Sequence, residues 1–244
     1  MKFENTEVWG FEHALRGMRN PMNSWDKSDS FVCKECHGGL CGYDFNDNCP
    51  VTDNNDFVIG TNDLNLAQRL IKGGSEHRKF LRQIMVSVDI TAPLYWWKEF
   101  DTYKVGTTAN STSTMHKLTS QPITLDCFEI DDYEEGLGNY FDASVNIEGR
   151  DGGFLAEDVN FIIDLLENLR QTYIETKDKR YWKELIRWLP ESWLQTRTVT
   201  MNYENLRNMY FQRKNHKLTE WSKSFIEWIE SLPYAKELIM YTGE

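Results

Sequence analysis

From Val159 to Leu189 the chain's apolar side chains return at helical intervals. Val159, Ile162, Ile163, Leu166, Leu169 and Tyr173 form one series, and Trp182, Leu185, Ile186 and Leu189 form a second. That spacing gathers apolar groups on one face of a helix and is incompatible with a strand, whose side chains alternate. The opposite pattern occurs once, in "IMVSVDI" (84 to 90), where β-branched residues alternate with polar ones and predict a strand. Helices therefore dominate, with one or a few strands in the first half, and the expected class is α+β.

Further elements follow from local signals. Asn62 is placed to cap a helix with Leu64, Ala67, Leu70 and Ile71 on one face, ended by Gly73 and Gly74. "EHRKFLRQI" (76 to 84) predicts another helical start, and Pro93 opens a helix to about Lys104. Residues 119 to 153 read as irregular or short strand. Long helices are expected from Trp193 to Gln212 and from Leu218 to Leu232, the latter stopped by Pro233. The expected division is an N-terminal segment, 1 to 60, with an irregular Cys-rich loop, followed by an α+β domain, 61 to 244.

Nine Trp and thirteen Phe supply ample core material. A net charge of -11 argues against a nucleic-acid binder, because phosphate contacts need a basic face. No run approaches the roughly 20 apolar residues of a membrane span. The charged start "MKFENTEVWGFEHALRG" does not resemble a signal peptide. A soluble, cytoplasmic protein is expected, and the "NST" sequon at Asn110 is then irrelevant to glycosylation.

Three constellations bear on chemistry. Cys33-x-x-Cys36-His37, with Cys41 and Cys49 beyond, contains half of a zinc knuckle, since two thiolates two residues apart can clamp one ion. The spacing of Cys41 and Cys49 is irregular, so structural zinc stands beside free thiols in a loop. Five cysteines, with Cys127 far from the rest, do not suggest a disulfide framework, and Cys127 is expected to be an inert core thiol. "DFNDNCPVTDNND" lacks the central Gly and closing Glu of a calcium loop.

The second constellation is "YKVGTTANSTSTMHKL" (103 to 118), dense in hydroxyls and amides. With Lys104, His116 and Lys117 it can line a phosphate or sugar pocket; alternatively it is a polar loop. The third lies in "LPESWLQTRTVTMNYENLRNMYFQRK", where Asn202, Leu206, Met209 and Arg213 share a helical face. An Arg on that face needs an anionic partner, either a carboxylate of the protein or a ligand phosphate.

Taken in order, these pieces resemble the flavin-dependent thymidylate synthases. "GGSEHRKF" (73 to 80) is similar to a shortened G-H-x-S-x-x-E-H element, with Glu76-His77 kept. "YKVGTTANSTSTM" aligns with R-H-R-x-x-S-x-N-x-x-S-x-R, placing Thr108, Asn110 and Ser113 on its Ser, Asn and Ser. Leu189-Pro190, Thr200, Asn202, Leu206, Asn208 and Arg213 fall on the family's C-terminal L-P, T, N, L, N and R. The departures are Tyr103-Lys104-Val105 in place of Arg-His-Arg and Met115 in place of the last Arg.

The resemblance covers about residues 60 to 221 and implies that family's fold, mostly helical with a small antiparallel sheet. It implies a methyltransferase that moves a one-carbon unit from methylenetetrahydrofolate to C5 of a deoxyuridylate-type nucleotide. FAD would be the cofactor, NADPH the reductant, and a homotetramer the assembly. Arg187, Arg213, Ser113 and His116 would hold the nucleotide; His77, Lys104, Asn110, Asn202 and Asn208 would face the flavin. The alternative implied by the missing arginines is a non-catalytic, nucleotide-binding or structural descendant that has lost flavin.

Overall fold

The computed structural model describes residues 1–33, 56–130 and 154–243, with 154–158 described in backbone only. In chain order the elements are β1 (Lys2–Trp9), α1 (Phe11–Arg19), β2 (Phe31–Val32), β3 (Phe57–Val58) and α2 (Thr61–Lys72). Next come β4 (Met85–Pro93), α3 (Leu94–Phe100), β5 (Thr108–Ser111) and α4 (Thr114–Lys117). The chain continues through α5 (Phe154–Thr176), α6 (Lys179–Arg187), β6 (Leu194–Asn202), α7 (Tyr203–Arg213) and α8 (Ile226–Glu230). About half the chain is helical, and the four-stranded sheet has the order β1-β4-β6-β5. The class is α+β, as the sequence leads one to expect.

The chain divides into two compact units: Met1–Ile90, Phe100–Asn110 and Arg197–Glu244 form unit 1, and Thr91–Glu99 with Ser111–Thr196 form unit 2. In unit 1, β4 buries Val86, Val88 and Ile90 and turns Ser87 and Asp89 outward, the alternation its sequence announces. Ser87 meets Thr200 at 3.3 Å and Asp89 accepts from Thr198 at 2.5 Å, so facing positions of β4 and β6 pair through polar side chains. Asn5 of β1 donates to the other oxygen of Asp89 at 2.8 Å. Those bonds from Thr198 and Asn5 hold the Asp89 carboxyl below its ordinary range.

Between β1 and α1 the chain turns at Gly10, with φ of 95°. A Cβ there would collide with the carbonyl oxygen of Gln83, so both the left-handed backbone and the close approach require glycine. Phe11 then stacks on Phe57 and meets Tyr203 and Tyr234 edge-on, which fixes the start of α1 in the core.

Unit 2 is organised by α5 and α6. Leu166 and Leu185 are fully buried and pack with Leu118, Ile123 and Phe128. Ile163, Leu169, Ile186 and Leu189 lie against this cluster, so the two series supply its helical side in part; Ile162 is exposed and Leu189 lies beyond the end of α6. Arg170 donates to both oxygens of Glu167 at 2.7 Å and to the carbonyl of Thr119 at 3.1 Å, tying α5 to the segment before Ile123.

Several local expectations are corrected. The stretch from Trp193 to Gln212 is strand β6 followed by α7. Its β-branched Thr196, Thr198, Val199 and Thr200 favour strand, and Val199 and Met201 are buried as alternate residues. "EHRKFLRQI" forms a turn and a short 3₁₀ segment, Lys79–Gln83, and the helix after Pro93 ends at Phe100. α2 starts from Gly60, not Asn62, and Leu66 takes the buried place expected of Leu64. The orphan amides of Asn62 and Asp63 are met by the carboxylate of Asp29, at 2.8 and 3.1 Å. Cys127 is only half buried, its Sγ 3.9 Å from both Thr124 Oγ1 and the Pro122 carbonyl.

Candidate functional site

In unit 1, α7 receives the loop that follows α3. Asn202 caps α7, its side-chain oxygen accepting from the amide of Asn205 at 3.0 Å. Asn205 reaches back and donates to the Val105 carbonyl at 2.6 Å. Between them Gly106 adopts φ of 75°, and a Cβ there would lie 2.9 Å from Asn205 Oδ1 and 3.0 Å from Asn202 Nδ2. The loop thus lies flat on the helix N-terminus only because residue 106 has no side chain.

At the other end of α7, Arg213 donates through Nε to the Tyr103 hydroxyl at 2.8 Å, and that hydroxyl donates to Gln212 at 3.0 Å. The Arg213 guanidinium also sits 4.5 Å above the Trp221 ring and 5.4 Å from the Tyr103 ring. A phenol and two aromatic faces are thus among the partners of Arg213. Two side-chain oxygens of this seam, Thr107 Oγ1 and Asn205 Oδ1, are buried without a hydrogen-bond partner among the described residues. Such groups are costly unless something satisfies them.

A second set of charges stabilises the same helix. Glu204, in the first turn of α7, is buried and receives Arg78 through Nε at 2.8 Å and Nη2 at 3.0 Å, a fork-on-carboxylate pair. Arg207 donates to the Ile239 carbonyl at 2.6 Å; burial, aided by the charge of Arg78, pushes its basicity below the usual arginine level. Neither Arg78 nor Arg207 stands out in the sequence. Glu76-His77 draws attention there, yet both side chains are exposed and the next residue makes the structural bond.

Asn202 caps the start of α7 and Arg213 ends it, with Lys104 exposed in the loop seated on the helix, Asn208 exposed on α7 and Asn110 exposed in β5. The polar run from Thr108 to Ser111 is therefore an edge strand rather than a loop. His77 lies in unit 1 in a separate cleft of about 500 Å³, lined also by Met18, Leu70, Glu76, Lys79 and Phe80. The other expected site residues belong to unit 2. Ser113 caps α4 by accepting from the His116 amide at 3.2 Å, and both side chains are exposed. Arg187 ends α6 and pairs with Glu184 one turn back.

Of the proposed zinc ligands, Cys33 is half buried, while Cys36, Cys41 and Cys49 lie outside the described residues. Among the described residues no cluster of three or more His, Cys, Asp or Glu side chains is placed to hold a metal. Nor is any described helix long and apolar enough to cross a membrane.

No protein-family model matches the chain, and a search of curated proteins returns no match. Solved structures do match. One is the flavin-dependent thymidylate synthase ThyX of Helicobacter pylori complexed with FAD and dUMP, at 16% identity and a TM-score of 0.59, covering 98% of each chain. A second structure of Helicobacter pylori ThyX with FAD and dUMP gives a TM-score of 0.64 at 15% identity, covering all of both chains. The chain therefore has a flavin-dependent thymidylate synthase-like fold from end to end.

Proposed function

We propose that the chain is a divergent flavin-dependent thymidylate synthase-like enzyme that binds a deoxyuridylate-type nucleotide and FAD. The observation that carries this reading is the seating of the Tyr103–Thr107 loop on α7. Two segments distant in sequence, each aligned with a ligand-holding element of the resembled family, meet in a fold shared along the whole chain. In this reading Arg213 of unit 1 takes the nucleotide phosphate, and Arg187, Ser113 and His116 are the further nucleotide contacts that the resemblance implies. Lys104, Asn110, Asn202 and Asn208 face the flavin; His77, in its own cleft, is a flavin contact only by the resemblance. Methylenetetrahydrofolate supplies the one-carbon unit, NADPH the electrons, and the working assembly is a homotetramer.

The residues present fit a flavin through hydrogen bonds and one ammonium rather than through guanidinium forks. The unpartnered Thr107 Oγ1 and Asn205 Oδ1 offer a hydroxyl and an acceptor. Bound flavin supplies hydride chemistry that no side chain provides. The chain's own part is to hold the nucleotide: Arg213, braced over Trp221 and by Tyr103, is pre-oriented to take a phosphate oxygen at little entropic cost.

A second reading, a nucleotide binder that has lost flavin, draws on one observation. Where the resembled family carries Arg-His-Arg, Tyr103 is turned onto Gln212 and Arg213, and Val105 is 88% exposed. Absorbance separates the two. Purified chain reconstituted with FAD and desalted is expected to keep a band near about 450 nm. Loss of that band, with dUMP still raising the melting temperature, selects the binder; no response to either ligand removes both readings.

A further inference from the structure

Unit 1 holds another cleft, of about 530 Å³, which the reading above leaves unused. That volume is within the range of small-molecule sites. Leu15, Val32 and Phe57 form its apolar wall, and Glu12 and Arg16 lie one turn apart on the exposed side of α1. Trp25 and Phe31 flank it at 50% and 45% exposure, an uncommon cost for two large aromatic rings. The Trp25 ring is held in place, since its Nε1 donates to Asn20 at 2.9 Å.

Arg19 lines the same cleft and is 3% exposed. Its Nε donates to Asp63 at 2.5 Å, Nη1 to the Ser24 carbonyl at 3.2 Å and Nη2 to the Lys27 carbonyl at 3.0 Å. A guanidinium carries five N–H groups, so part of its donor capacity is unspent among the described residues. Beside Trp25, the buried Oγ of Ser24 has no hydrogen-bond partner there either. The guanidinium donors of Arg19 and Arg16 thus lie beside fixed aromatic faces, with the Glu12 carboxylate next to Arg16 at the rim.

We propose that this cleft binds a small aromatic carboxylate. Its ring lies against Trp25 and Phe31, its carboxylate takes the spare N–H groups of Arg19, and Arg16 supplies the charge. Asp63 already balances Arg19, so the ligand's charge is met by Arg16 at the rim. The inference does not depend on the nucleotide reading.

The test uses the full chain and 2-naphthoate as probe, with 2-naphthalenemethanol as the uncharged control, followed by calorimetry. One-to-one saturable binding tighter than about 1 mM is expected. Trp25→Ala and Arg16→Gln change exposed side chains, so their melting temperatures should match the parent while naphthoate affinity falls at least about tenfold. The alcohol should bind about tenfold more weakly. Absence of saturable binding overturns the proposal, as does binding unchanged in both variants or equal for acid and alcohol. Displacement of naphthoate by dUMP also overturns it, by moving the probe to the nucleotide site. Stabilisation by dUMP should be the same in both variants, so failure here leaves the proposed function standing.

Discussion

Asp63 in unit 1 and Glu167 in unit 2 are both carboxylates that gather donors, but they draw them from very different distances along the chain. Asp63 receives Arg19, Ser28 Oγ, Ser30 Oγ and the amides of Asp29 and Ser30, from partners 33 to 44 residues away. It is fully buried; burial pushes its carboxyl up, yet the bonds from Ser30, Ser28 and Arg19 prevail and hold it low. Glu167 is part-exposed and bonds mainly within its own helix, to Arg170 and Gln171, adding the Ile123 amide from afar among the described residues. A buried hub specifies tertiary structure, because removing it strands charge; a helix-local hub mostly reinforces what the helix already does.

The sharpest way to break this contrast is Asp63→Ala, which leaves Arg19 buried without its counter-charge. A loss of about 3–5 kcal/mol is expected in urea unfolding. Glu204→Gln should come next, at about 2 kcal/mol, since it unpairs the part-buried Arg78 fork. Glu167→Gln should cost somewhat less, about 1–2 kcal/mol at neutral pH, since it leaves the buried Arg170 guanidinium without its charged partner while part of Glu167 faces solvent. Its pH signature is distinctive. The bond from Arg170 lowers the Glu167 carboxyl from 4.5 to about 2. A depressed carboxyl stabilises fully above the unfolded value and loses that contribution as pH falls from 4.5 toward 2. The parent should therefore lose stability in that window more steeply than Glu167→Gln in thermal melts. Lys98→Ala, which removes an exposed ion pair with Glu191, should stay within about 0.5 kcal/mol. An Asp63→Ala effect no larger than that of Glu167→Gln would dissolve the contrast.

The same difference in range explains what the sequence made legible. α5, α6 and β4 are readable because their apolar period is local and strong. In β6 the β-branched run does favour strand, but the pairing that decides it, with Ser87 and Asp89 of β4, lies more than a hundred residues away. β1 and α1 escape for a like reason: "KFENTEVW" has little apolar alternation, and Gly10 matters only once Gln83 is beside it. At the site, Asn202 and Arg213 can be picked out by spacing on α7. Tyr103, Asn205 and Arg78 cannot, because their roles come from partners on distant segments.

The central claim is that Arg213, braced by Tyr103 and Trp221, is a ligand-holding group. Thermal melts of the parent and Arg213→Ala, each with and without dUMP, test it most directly. The expected result is a parent melting temperature that rises with dUMP, and a folded Arg213→Ala chain whose melting temperature dUMP leaves unchanged. A variant stabilised by dUMP as much as the parent would contradict the claim, as would a parent that dUMP does not stabilise at all.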